Sequence, residues 1–140
     1  MSRFAPIAVG TVGVIALAVG LGGCATSEGE SDATWRLAPQ VEVDSATTTF
    51  EILVSRVECN SGVTGTVNEP SVEFGDEEVV ITVRVSPGSP QAATCQGNDE
   101  VPYTLRLTQP IGDRVLIDGG CRGGEAAETV FCDSAVRGRP

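Results

Sequence analysis

Two stretches of the chain alternate apolar and polar positions strongly enough to fix its class. In residues 47–59, Phe50, Ile52 and Val54 share one face, and Glu51, Leu53 and Ser55 share the other. In residues 78–86, Val79, Ile81, Val83 and Val85 line one face, with Val80, Thr82 and Arg84 opposite. A period of two is the signature of a strand with one buried face. Weaker runs of the same kind predict strands over 40–44, 63–67, 71–74, 103–108, 115–118 and 129–132. In 103–108, Tyr103, Leu105 and Leu107 alternate with Thr104, Arg106 and Thr108. Turn chemistry separates these runs: Asn60-Ser61-Gly62, Gly75-Asp76-Glu77, Pro110-Ile111-Gly112-Asp113 and Gly119-Gly120. No segment beyond the N-terminal apolar run sustains a helical period.

Many short strands with regularly spaced turn signals predict an all-β fold. The architecture expected is a single antiparallel β-sandwich, immunoglobulin-like in general form. The Cys-Trp-Cys arrangement of true immunoglobulin domains is absent, because Trp35 precedes every cysteine of the predicted core. Residues 87–99 form a long connection holding Cys95, and residues 121–132 are expected to make a hairpin around Gly123-Gly124. Cys59, Cys95, Cys121 and Cys132 are an even set in a small domain, which reads as two disulfides. Four cysteines allow three connectivities. Closure of the shorter loops favours Cys59–Cys95 and Cys121–Cys132, worth roughly 4 and 3 kcal/mol in the chain-entropy model.

The N-terminal run changes where this domain is expected to live. Arg3 precedes an uncharged stretch, residues 8–21, that ends at Leu21-Gly22-Gly23-Cys24. Its length and flanks fit a secretory signal rather than a membrane span. Glycines at 10, 13, 20, 22 and 23 argue the same way, since each weakens a helix interior by roughly 1 kcal/mol. The four residues resemble the lipobox of bacterial membrane lipoproteins. The resemblance implies Leu21 at the aliphatic position, Gly22 and Gly23 at the small ones, and cleavage between Gly23 and Cys24. It also implies diacylglycerol on the Cys24 thiol. Gly22 departs from the more usual Ala or Ser. On this reading residues 1–23 are a signal peptide, 24–34 a lipidated cysteine and acidic tether, and 35–140 the β domain. Lipidation of Cys24 also accounts for the odd thiol. The Cys59-Asn60-Ser61-Gly62, Cys95-Gln96-Gly97-Asn98 and Pro110-Ile111-Gly112-Asp113-Arg114 stretches, with Asp118-Gly119, are similar to those of small β domains in actinobacterial lipoproteins. That group implies no activity.

Composition narrows the chemistry. The formal net charge is −10, and loss of Arg3 with a leader would lower it by one, to about −11. Such a balance argues against nucleic acid and against adsorption to anionic lipid. Every basic residue is Arg, a usage that fits a GC-rich, actinobacterial coding bias. The absence of His excludes Ser-His and Cys-His catalysis and imidazole metal ligands. The absence of Lys excludes Schiff bases, Ser-Lys dyads and a P-loop lysine. No C-x-x-C pair or nucleotide-binding glycine pattern occurs.

Carboxylates remain. Asp76-Glu77-Glu78 and Asn98-Asp99-Glu100 sit at predicted turns and offer oxygens to Ca²⁺, but match no ligand loop and read as solvated turns. Asp113, Arg114 and Asp118 read as a turn and surface ion pair, and Trp35 as a cap on the sandwich edge rather than a recognition residue. The expectation is therefore a monomeric, non-enzymatic binding or structural lipoprotein without cofactor, on the outer leaflet and facing the cell wall. Its partners would be the membrane and an envelope protein or cell-wall component. The alternative is a Ca²⁺-dependent binder or a small carboxylate-dependent enzyme.

Overall fold

The strongest alternation in the chain becomes its central strand. A computed structural model describes residues 29–89 and 94–140, so Leu21, Gly22, Gly23 and Cys24 lie outside the described residues. Among those described, the protein is mostly β, with two four-stranded sheets and two disulfides. Strand β2 (Thr49–Arg56) lies between β1 (Ser31–Leu37) and β6 (Val101–Arg106), both antiparallel to it. The short β5 (Arg84–Val85) pairs with the start of β1, giving the order β5-β1-β2-β6. The second sheet runs β3 (Ser71–Phe74), β4 (Glu78–Thr82), β7 (Val115–Asp118), β8 (Val136–Gly138).

Period-two patterning explains the core. Phe50, Ile52 and Val54 of β2 point inward beside Trp35 of β1 and Leu105 of β6. Val79 and Ile81 of β4 and Leu116 of β7 join them in the same apolar cluster, with Ile111 from a loop. Burying each Leu, Ile or Val stabilises by about 1.5–3 kcal/mol. Trp35 ties the sheets directly: its indole N–H donates to the Ile81 carbonyl at 2.9 Å. It is 2% exposed, so it is a core residue rather than an edge cap or recognition residue.

Several expectations are corrected. The domain starts before residue 35. Ser31, Ala33 and Thr34 are buried in β1, so the tether cannot extend to 34. The window lacks apolar periodicity because its small polar side chains are held by specific partners. Ser31 Oγ donates to Glu58 at 2.8 Å, and Asp32 pairs with Arg84. Residues 40–44 form no strand, although Val41 and Val43 pack against the core. Residues 63–67 contribute one bridge, Val67 to Val85. The run 78–86 does not stay in one sheet. It breaks at the buried Val83, so β4 belongs to one sheet and β5 to the other, a corner of the kind made where a strand bends between layers.

The sheets are not purely antiparallel, because β4 and β7 pair in parallel. The predicted hairpin over 121–132 is instead three short 3-10 turns, Gly119–Arg122, Ala126–Glu128 and Val130–Cys132. The last strand is therefore β8 in the C-terminal tail rather than 129–132. Glu125-Ala126-Ala127-Glu128 carries no β-branched residue to favour a strand. Gly119 and Gly120 lay the chain against the sheets. A Cβ on Gly119 would collide with Thr82 Oγ1, and one on Gly120 would come within 2.8 Å of the Ala33 carbonyl oxygen.

Candidate functional site

Asp118 ends β7 and is 0% exposed. Its carboxylate accepts from the Trp35 N–H at 3.1 Å, the Gly120 N–H at 3.0 Å and Arg137 Nη2 at 3.0 Å. Burial pushes this carboxyl above the usual aspartate range, opposed by the N–H donors of Trp35, Arg137 and Gly120. Arg137, on β8, also donates to the Phe131 carbonyl at 2.8 Å and the Ser134 carbonyl at 2.7 Å. Its Nη2 lies 3.4 Å from Cys121 Sγ. One buried ion pair thus ties together the end of β7, the middle of β1, strand β8 and the loop over 121–132.

That loop is also closed covalently. Cys121 and Cys132 are bridged with their Cα atoms 5.2 Å apart. The ring presents Val130 and Phe131 to solvent, 78% and 56% exposed. Exposed large apolar residues are unremarkable singly. Here they are adjacent, and the backbone carrying them is held by a disulfide and by Arg137.

Phe131 borders two adjoining pockets of about 190 and 320 Å³ that share it with Ser55 and Glu100. They run across the outer face of the β1–β2–β6 sheet. Register sets this face. Arg36 stands opposite Leu53, and Leu53 opposite Pro102. The second pocket reaches the Cys59–Cys95 bridge, whose Cα atoms are 4.5 Å apart. Arg36 and Glu100 cross the first pocket as a two-pronged ion pair, both contacts 2.6 Å. The hydrogen bond from Arg36 holds Glu100 below the usual glutamate range and raises Arg36 in turn. The result is a shallow groove with an apolar floor at Leu53, a neutralised charge pair and an aromatic wall.

Of the two acid clusters singled out in the sequence, Asp76 and Glu77 are exposed at the turn before β4, and the other acids have local partners. Glu78 pairs with Arg122, and the Glu77 carbonyl accepts from the Val115 N–H. Asn98 donates to the Arg56 and Glu58 carbonyls, and Asp99 accepts from the Thr64 N–H at 2.6 Å. Arg114 donates to the Gly75 and Ile111 carbonyls and lies over the Phe74 ring, away from Asp118, which Arg137 takes instead. Among the described residues no three acidic or sulfur side chains gather as a metal site.

Arg56 is buried at the end of β2 and anchors the neighbouring loops. Its Nε donates to the Thr64 carbonyl at 3.1 Å and its Nη2 to the Ser86 carbonyl, with Glu58 3.6 Å from Nη1. The Asn60-Ser61-Gly62 turn forms as expected, with left-handed Ser61 and Gly62 and the Val63 N–H bonded to the Asn60 carbonyl.

Sequence reasoning missed the groove. Two signals pointed to it. Leu53 is an apolar residue on the polar face of an alternating strand. Val130-Phe131 is a consecutive apolar pair between Glu128 and Asp133, which a single strand cannot bury together. Comparison with known proteins supplies no relative: no protein-family model, curated protein or solved structure matches the chain.

Proposed function

We propose that this chain is a lipid-anchored lipoprotein of the cell envelope whose β domain is a non-enzymatic binding module. On this reading the leader is cut between Gly23 and Cys24, diacylglycerol is carried on Cys24, and the domain faces the extracytoplasmic side. The fold is read as an immunoglobulin-like sandwich. The observation that carries the binding assignment is Phe131, exposed beside the groove and held in place by Cys121–Cys132 and Arg137. A pre-organised aromatic loses little entropy on binding, which is how a small surface gains affinity.

Two further facts support export. Both disulfides belong to the small, oxidised domains typical outside the cytoplasm. They also pair Cys59, Cys95, Cys121 and Cys132 among themselves, which leaves Cys24 for lipid. The test is the intact mass of the protein purified from its membrane. An acylated chain beginning at Cys24 is expected, and an unmodified chain beginning at Met1 would overturn the reading. Cross-linking on intact cells tests the binding role: a discrete adduct that disappears with Phe131→Ala is expected.

A further inference from the structure

The binding partner can be narrowed by charge. Glu125, Glu128 and Asp133 flank Val130 and Phe131 in sequence, and all three acids are exposed. None takes part in the ion pairs of the described residues, which join Arg36–Glu100, Arg56–Glu58, Arg84–Asp32, Arg122–Glu78 and Arg137–Asp118. Arg137, the cation nearest to Phe131, is spent on the buried Asp118. The apolar tip is therefore flanked along the chain by three exposed acids outside those ion pairs, on a chain of net charge −10. An anionic lipid surface or an acidic polymer would be repelled from it.

We propose that the groove over Leu53 and Phe131 receives a cationic polypeptide segment, one that carries Arg or Lys beside an apolar side chain. The apolar side chain would seat on Leu53 against the Phe131 ring. The flanking cations would meet Glu125, Glu128 and Asp133. A guanidinium would gain further against the Phe131 ring, a residue 56% exposed. The inference rests on reading the domain as a binding module but not on export or anchoring, so it stands or falls separately from the mass of the mature chain.

The experiment titrates the purified full chain into a fluorescein-labelled peptide of alternating Arg and Leu and reads anisotropy. Saturable binding is expected, weakening with salt as the Debye length contracts. Phe131→Ala should weaken it by about tenfold, the loss of one buried aromatic anchor. The double variant Glu128→Gln/Asp133→Asn should weaken it several-fold. Asp76→Asn/Glu77→Gln removes the same charge at an exposed turn of the other sheet and should leave binding unchanged. Two outcomes overturn the proposal. One is Phe131→Ala binding as well as the parent. The other is Asp76→Asn/Glu77→Gln weakening binding as much as the pair beside Phe131, which would show attraction to net charge alone. Because Phe131 is exposed, unchanged thermal unfolding of Phe131→Ala is expected and checks that its effect is local.

Discussion

At the scale of single residues, Asp118 and Arg137 carry the most consequence. Arg137→Met removes the guanidinium and leaves a carboxylate that is 0% exposed without its counter-charge. Breaking one side of a buried pair costs about 3–5 kcal/mol, and urea unfolding should register it as a lowered midpoint. The same site sets a pH signature. Desolvation raises the folded carboxyl of Asp118 above its unfolded value. The folded chain then holds a proton that the unfolded chain has already released. The group's contribution is fully present below the unfolded aspartate range, about 3.9, and is lost as pH rises through the folded value. Glu100 has the opposite sign, because Arg36 lowers it. Its contribution is present above the unfolded glutamate range and lost as pH falls through the folded value. Asp118→Asn should therefore flatten the fall in urea midpoint with rising pH just above the aspartate range. An identical pH slope in parent and variant would mean that Asp118 titrates elsewhere.

At the scale of elements, legibility followed the apolar alternation. The runs around Phe50-Ile52-Val54 and Val79-Ile81 gave β2 and β4, and the 71–74 and 115–118 runs gave β3 and β7 at the predicted bounds. Elements held by polar contacts were not legible. β1 begins with Ser31-Asp32-Ala33-Thr34, whose burial depends on partners as distant in sequence as Glu58 and Arg84. The 3-10 turns over 119–132 were hidden for a related reason. A disulfide, two glycines against the sheets and Arg137 shape that loop, and none of these leaves a period. The consequence for β1 is measurable. A chain started at Gly29 should unfold cooperatively, whereas one started at Trp35 loses the Ser31–Val85 and Asp32–Arg84 pairings and should unfold at a clearly lower temperature. The disulfides make a graded pair. Cys59–Cys95 closes a separation of 36 residues and Cys121–Cys132 one of 11. Chain entropy makes their removal cost about 4 and about 3 kcal/mol. Cys121→Ser/Cys132→Ser should be the milder in urea unfolding, yet the more damaging to any binding that needs Phe131.

At the scale of the whole molecule, charge and the proposed anchor would divide the work. The domain is acidic, and five of its arginines are already committed to ion pairs. Its acidic net charge opposes adsorption to an anionic membrane. Attachment on the proposed reading must then come from lipid alone. Each buried methylene of an acyl chain contributes about 0.8 kcal/mol, so one chain binds reversibly and two bind stably. The proposed diacylglycerol on Cys24 would supply two chains, which would make a polybasic second signal unnecessary. Adhesion by lipid and adhesion by charge respond differently to solvent. Salt screens charge within about 8 Å at physiological ionic strength and leaves acyl burial intact. A high-salt wash of membranes should leave the protein bound, and a non-ionic detergent should extract it. Cys24→Ala should abolish the acylated mature form, and the purified acylated chain should bind neutral vesicles at least as well as anionic ones, because its net charge of about −11 opposes the latter. Release by salt, or a preference for anionic vesicles, would place the attachment in the domain's surface and remove the reason for reading Leu21-Gly22-Gly23-Cys24 as an anchor.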